Sequence, residues 1–301
     1  MASGTRAKNV QGECVMLAAE VPAEDFTYGL ITPVFAFLMA VVGSALGLRC
    51  TTRALSSERN RRPGWLALGA LAIGTGIFTM HFIAMMGFTV PSMNLTYDLG
   101  ITYASLAVAV GVVGVGVFLV GYAPRSNLTL AAGGVITGLG VAAMHYMGMA
   151  GMDMAGVMRF DTVTVGISVA IAVVAATVAL WFAVNVSGFA ASLGASAIMG
   201  VAVTGMHYAG MAAVSVHTHG AATTGGGHAQ VEILMPALVV PIVVLVFVGL
   251  FVGLDPMTVQ DIHERMNQDD KDGTGDAGRG GARPAARVEP RATGAGPGAV
   301  R

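Results

Sequence analysis

Long apolar stretches alternate with short polar segments along most of the chain. A helix needs about 20 apolar residues to cross a hydrocarbon core about 30 Å thick. Seven stretches of this length are present, and their ionisable residues lie almost entirely at their ends. They cover residues 29–49, 64–88, 99–122, 130–152, 163–184, 191–215 and 233–254. The pattern predicts an all-α membrane protein with seven transmembrane helices.

The character of the sequence changes at both ends of this apolar region. Residues 1–28 form a polar arm, and residues 29–254 form the seven-span domain. Residues 255–301 are dominated by Gly, Pro, Ala and alternating charges, a composition typical of disorder. We therefore expect an arm, a membrane domain and a largely disordered tail.

The composition supports a membrane protein. Of the 301 residues, 54% are hydrophobic and only 11% are charged, with a mean hydropathy of +0.71. Soluble domains carry about 25% charged residues, so an ordinary cytosolic enzyme is excluded. The net charge of −1 argues against nucleic acid as a partner. The expected surroundings of the protein are membrane lipid.

The arginines of the short loops predict the orientation. Loops that face the cytoplasm carry an excess of Lys and Arg. The first loop region holds five arginines and the third holds Arg125, whereas the opposite side has Arg159 as its only loop cation. The five are Arg49, Arg53, Arg59, Arg61 and Arg62. We expect the N-terminus outside and the C-terminus in the cytoplasm.

Three segments of the apolar region resemble one another. They read GTGIFTMHFIAMMG (74–87), GLGVAAMHYMGMAG (138–151) and GVAVTGMHYAGMAA (200–213), with histidines 64 and 62 residues apart. This period equals one pair of spans. The membrane domain is therefore interpreted as three tandem helix-pair repeats plus one extra helix.

Each copy has the pattern Met-His-aromatic-x-small-Met. The second methionine follows the histidine by four residues, so both lie on one helix face, about 5.4 Å apart along the axis. Small residues seven before and three after the histidine allow close helix packing. All three motifs lie on even-numbered spans, which cross in the same direction, so the histidines share one depth near the outer face. The candidate metal ligands are His81, Met85, His145, Met149, His207 and Met211, with Met80, Met144 and Met206 preceding the histidines.

Imidazole and thioether together are ligands for copper. Thioether is soft and selects Cu(I), and imidazole suits both copper and zinc. If the even-numbered helices face one another, the sequence predicts a ring of three imidazoles beneath a layer of three thioethers.

The triple motif on alternate helices resembles the MHYT-domain family of bacterial integral membrane sensors. The resemblance covers residues 28–255 and implies a copper site near the outer face of the inner (plasma) membrane. It also implies sensing of a diatomic gas (O2, CO or NO) or of redox state. Family members are often fused to cyclic-di-GMP enzymes or histidine kinases, whereas this tail is short, so we expect an unknown separate cytoplasmic signalling partner. Phe82 replaces the tyrosine of the first motif.

Two other functions use the same residues. A copper-handling or oxidase-assembly protein would hold and deliver Cu(I), and a haem-b protein would use two of the histidines as axial ligands. The sequence lacks a nucleophile–base pair, a phosphate-binding glycine loop and a zinc hydrolase motif, so we do not expect an enzyme. His217, His219 and His228 in the last outer loop either capture Cu(II) or Zn, or are simply polar.

Overall fold

The computed structural model describes residues 19–21, 23–91, 93–154, 156–186, 188–218 and 228–254. The whole predicted tail and most of the predicted arm lie outside these residues, so their boundaries stay predictions. Seven helices are present in the described part, and all are long and apolar enough to cross a membrane. They are α1 (Ile31–Ser56), α2 (Arg62–Met85), α3 (Leu99–Tyr122), α4 (Asn127–Ala150), α5 (Thr162–Asn185), α6 (Phe189–Met211) and α7 (His228–Gly253).

The predicted all-α architecture with seven spans is confirmed. Helices α1 and α6 end at residues that differ from the predicted ones, each for a local structural reason. Helix α1 continues to Ser56, seven residues beyond the predicted end. Hydropathy marks where the apolar segment ends, whereas the backbone stays helical there and side chains such as Thr51 and Ser56 bond to carbonyls one turn back. Helix α6 ends at Met211 rather than 215, because the following residues form a strand.

Three helices begin at residues whose side chains cap the first turn. Asp98, Ser126 and Asp161 each accept a hydrogen bond from a backbone N–H three residues ahead. At α5 the Thr164 hydroxyl also donates to Asp161, and these bonds lower the pKa of that carboxyl. The caps satisfy backbone groups that the first turn of a helix leaves without partners.

The first six helices form a closed ring. Each consecutive pair is in contact, and α6 packs against α1 to complete the circle. Helices α2, α4 and α6 meet at its centre, and α2 is the most buried of the seven helices. This order places the three motif-bearing helices side by side.

The glycine seven residues before each histidine lets its helix approach the next odd-numbered helix. At each position a Cβ atom would lie too close to the neighbouring helix for the present packing. The contacts are Gly74 with Val110 of α3, Gly138 with Val173 of α5, and Gly200 with Val41 and Phe37 of α1. The same repeated residue therefore forms the three joints between repeats, including the one that closes the ring.

Helix α7 stands outside the ring against α1, α2 and α3. The Phe251 and Trp65 rings lie 5.6 Å apart between centroids. The Tyr103 hydroxyl of α3 donates to the Ala237 carbonyl at 3.2 Å. Val248 and Val252 share a buried cluster with Cys50 and Ala72. The extra helix therefore covers one side of the ring.

Short strands close the end of the ring that carries the histidine motifs. They are β1 (Ala19–Val21), β2 (Thr96–Tyr97), β3 (Met152–Asp153), β4 (Gly156–Phe160) and β5 (Val214–Thr218). β5 pairs antiparallel with both β1 and β4, and β2 pairs antiparallel with β3. We call this end the sheet end. The sequence analysis did not predict these strands. β2, β3, β4 and β5 join the connections that follow α2, α4 and α6, and β1 adds the segment before α1.

We expect Gly138→Ala to destabilise the protein by about 1–3 kcal/mol, because the added Cβ overlaps the Val173 backbone and forces α4 from α5. The control is Gly111→Ala, where a Cβ meets nothing within 4 Å. That change is expected to be neutral or slightly stabilising, since Ala favours a helix over Gly. Thermal melting in detergent measures the stability of both variants. Equal melting temperatures would contradict a role for Gly138 in the close contact between α4 and α5.

Candidate metal centre

The three motif histidines meet at the centre of the ring. His81, His145 and His207 are each at most 1% exposed. Their Nδ1 atoms form a triangle with sides of 3.1 Å (His81 to His207), 3.2 Å (His81 to His145) and 3.3 Å (His145 to His207). The predicted convergence of the three imidazoles is thus found in the structure.

The triangle has near three-fold symmetry. Ring centroids of the histidines lie 4.9 to 5.1 Å apart, and each pair is edge-on. The aromatic residue after each histidine packs edge-on against it, at 4.7 Å for Phe82, 4.8 Å for Tyr146 and 5.0 Å for Tyr208. The repeated sequence therefore builds a repeated geometry, and Phe82 holds its place as the tyrosines do.

The small residue three positions after the histidine provides the seat for a neighbouring imidazole. A Cβ at Gly148 of α4 would collide with Nε2 of His81, and a Cβ at Gly210 of α6 would collide with Nε2 of His145. The corresponding residue on α2 is Ala84. These glycines were noted in the sequence only as helix-packing residues, and their contact with the imidazoles needed the fold.

Hydrogen bonding alone does not satisfy the triangle. Each Nδ1 carries either a proton or a lone pair, so among three mutual neighbours at least one pair is alike and repels. Nε2 of His81 and Nε2 of His145 are buried without a hydrogen-bond partner. The buried residues of the described ranges include no Asp, Glu, Lys or Arg. The Nδ1 atoms therefore converge on one point, and the buried described residues offer no charged side chain to pair with them.

A metal ion fits the centre of the triangle. A point in the plane of the three nitrogens lies about 1.85 Å from each, and a displacement of about 0.8–1.0 Å from the plane reaches the roughly 2.0–2.1 Å of metal–imidazole bonds. Among the described His, Cys, Asp and Glu residues, these three histidines are a group whose ligand atoms, all within 4.8 Å of one another, lie close enough to hold one metal ion. Three inward lone pairs and a central cation would remove the repulsion described above.

The six candidate methionines are at most 3% exposed and fall into two groups. Met85, Met149 and Met211 share one buried cluster with residues of the sheet end. Met80, Met144 and Met206 belong to the central cluster that also includes residues of α3 and α5. The three methionines after the histidines thus lie on the sheet side of the triangle, and their role as a second ligand layer stays a prediction.

The other histidines lie away from this arrangement or outside the described side chains. His217 is partly buried in β5, opposite Glu20 and Val157. His219 lies outside the described residues, and for His228 the structure describes only the backbone at the start of α7.

Polar groups around the triangle were missed by the sequence analysis. The Tyr146 hydroxyl is hydrogen-bonded to the Ser168 hydroxyl at 2.5 Å. Phe26 stacks on Tyr208 with centroids 5.3 Å apart, and burial raises the pKa of the adjacent Asp25 carboxyl. A lone serine or aspartate carries no sequence signal for such a contact, because the partners come from distant segments.

A ring of apolar helices around a buried histidine triangle defines a multi-pass membrane protein with a candidate metal centre. Residues 74–133 and 138–196 match the MHYT family, described as a bacterial signalling protein N terminal repeat. The membrane domain of this chain belongs to the MHYT family. The third motif, around His207, follows the second matched segment and completes the same structural unit.

The relatives of the chain are signalling proteins. The bifunctional diguanylate cyclase/cyclic di-GMP phosphodiesterase MucR of Pseudomonas aeruginosa is 38% identical over 62% of this chain and 28% of that protein. The cyclic di-GMP phosphodiesterase NbdA of the same organism is 31% identical over 69% of this chain and 29% of that protein. The signaling protein YkoW of Bacillus subtilis is 28% identical over 68% and 26%.

The chain spans less than a third of the length of these relatives. No solved structure matches it. The shared part is thus a membrane signalling domain.

We expect Gly148→Ala to destabilise the protein by about 1–3 kcal/mol because its Cβ displaces the His81 imidazole. In a His81→Ala background the same change is expected to cost much less, since the colliding ring is gone. A double-mutant cycle on thermal stability measures this coupling. Gly210→Ala with His145→Ala repeats the test.

Gly205→Ala on α6 is the control for these variants, because a Cβ there meets nothing within 4 Å. It is expected to leave stability unchanged or slightly higher. If Gly→Ala lowers stability by the same amount with and without the imidazole, the glycine does not make room for that ring.

Proposed function

We propose that this domain is a membrane sensor that holds a copper ion at the histidine triangle and detects a diatomic gas or a change in redox state. The observation that carries the proposal is the set of three buried Nδ1 atoms within 3.3 Å of one another. Three neutral imidazoles directed at one point are a metal-ligand set. The membership of the domain in a signalling family supports a sensory role.

His81, His145 and His207 are the primary ligands in this proposal. Met85, Met149 and Met211 form the adjacent thioether layer, from which a further soft ligand is available on the sheet side. Met80, Met144 and Met206 belong to the central cluster, where they pack the helices that carry the histidines. When bound, copper would supply a one-electron couple and a coordination position for O2, CO or NO.

Among the described residues no carboxylate is fully buried near the triangle, and this favours Cu(I) over Cu(II). A charge in a low-dielectric interior is costly unless it is balanced, and the cost rises steeply with the size of the charge. No acidic side chain is among the buried residues of the described part. A monovalent ion with neutral ligands is therefore the least costly occupant.

The proposed orientation places the sheet end outside the cell and the C-terminus in the cytoplasm. The arginine-rich end of α1 and start of α2 lie at the opposite end from the strands, which agrees with the positive-inside rule. A signal at the triangle would pass along α2, α4 and α6, which all contribute to it, to a cytoplasmic signalling partner. The domain itself is not an enzyme in this proposal.

The haem alternative conflicts with the contacts between the histidine rings. Two axial histidines bind opposite faces of a macrocycle, which needs a slot between them. Here the imidazole centroids lie 4.9 to 5.1 Å apart, so no such slot separates them. Copper handling uses the same ligands as a copper sensor, and it differs in how readily a chelator removes the metal.

Copper and haem contents of the detergent-purified protein test the proposal. We expect roughly one copper per chain without haem absorption, because three imidazoles make one trigonal site. Replacing any one of His81, His145 and His207 with Gln is expected to lower copper affinity by at least tenfold, measured by competition with a chromophoric chelator.

The matched control is His217→Ala, which removes a histidine of the sheet end and is expected to leave copper binding unchanged. Wild-type copper content in the triple His→Gln variant would refute the site. A strong haem band would favour the haem alternative, and rapid loss of copper to a chelator would favour copper handling.

A further inference from the structure

Methionines form much of the region between the histidine triangle and the surface of the sheet end. A single hydrophobic cluster there contains eight of the 19 methionines of the chain, five of them buried and three partly buried. The buried ones are Met85, Met93, Met149, Met152 and Met211, and the partly buried ones are Met86, Met154 and Met158.

Apart from Met86, which is partly exposed at the C-terminal end of α2, the exposure of these methionines increases away from the triangle. Met85, Met149 and Met211 at the helix ends are at most 3% exposed. Met93 and Met152, in the connections beyond, are each 7% exposed. Met154 and Met158, between and within the strands, are partly exposed. The cluster therefore reaches from the triangle to the surface.

Residues between the methionines link parts of this cluster. Met152 lies opposite Tyr97 in the β2–β3 pair, and the Tyr97 ring packs 6.1 Å from that of Phe82, the neighbour of His81. On the outer side, the Met93 methyl group lies against Gly156 at the start of β4, at 3.3 Å from where a Cβ would stand. β4 then carries Met158.

The chemistry of this cluster is uniform. Its members are apolar or aromatic, and thioether is the soft ligand type that they offer. Thioethers are neutral and select Cu(I) and Ag(I) over hard cations. Several weak neutral ligands in sequence allow a monovalent ion to shed water without being held as tightly as at three imidazoles.

We infer that Met93, Met152, Met154 and Met158 form an uptake site for a soft monovalent metal ion at the sheet end, which leads to the histidine triangle. The destination rests on the proposed function, whereas metal capture by the methionines does not. These four residues lie outside the repeated Met-His motifs, so duplication of the motif does not account for their position.

Methionine also serves as packing material, and Leu substitution separates the two roles. Met and Leu are similar in volume, so a packing role survives the exchange at a cost below about 1.5 kcal/mol, whereas the thioether is lost. The test variant is Met93→Leu/Met154→Leu/Met158→Leu. The matched control is Met39→Leu/Met199→Leu/Met235→Leu, which removes three methionines outside this cluster.

The first measurement is the rate at which the detergent-purified protein takes Cu(I) from a chromophoric chelator. We expect the test variant to load at least tenfold more slowly than wild type and to reach the same final copper content. The control variant is expected to load at the wild-type rate. An unchanged rate in the test variant, with normal final loading, overturns the inference and leaves the proposed function standing.

The second measurement uses Ag(I) on a variant in which His81, His145 and His207 are replaced with Gln. We expect residual Ag(I) binding with sulfur neighbours in X-ray absorption, and its loss when the three Leu substitutions are added. If wild type binds no copper but this Ag(I) signal is present, the proposed function fails and the uptake site stands. Ag(I) binding that the Leu substitutions do not reduce overturns the inference.

Discussion

Three imidazole nitrogens held within 3.3 Å of one another are the constraint on which the rest of this structure depends. The described part of the chain buries no acidic side chain that would balance a charge there. Such a group of imidazoles is stable in an apolar interior only if its position is fixed and its lone pairs are satisfied. The ring of helices provides the fixed position. Two sets of small residues hold the ring in place. The glycines seven residues before the histidines allow neighbouring helices to pack closely, and Gly148 and Gly210 leave room for the imidazoles.

The three-fold repeat creates the site, but the surroundings of the three histidines are not identical. Phe82 has no hydroxyl, Tyr146 is bonded to Ser168, and the Tyr208 hydroxyl is buried without a partner. Helix α7 covers one side of the ring only. Strands and methionines cover one end. Equivalent histidines therefore have unequal surroundings, so a ligand that approaches from the sheet end meets three different neighbours.

Hydropathy was sufficient to predict the seven spans, because the membrane imposes a minimum apolar length on each helix. The spacing of His81, His145 and His207 predicted their shared depth, since a two-span period returns the chain to the same side. The strands were missed because Val214 and its neighbours continue the apolar run of α6, and their pairing depends on β1 and β4 from remote segments. The seat at Gly148 was missed because sequence does not tell which helix faces it.

The contact of Gly200 with Val41 and Phe37 has a consequence for biosynthesis. Helix α1 is synthesised before the other helices of the ring, yet the face around Val41 meets its partner only when α6 is made. Until then lipid must cover that face, and only two of the three imidazoles are available within the bilayer. Synthesis of α6 thus provides both the α6–α1 contact that closes the ring and His207, the third histidine of the triangle. A nascent chain that stalls after two repeats would carry an incomplete triangle and an open ring.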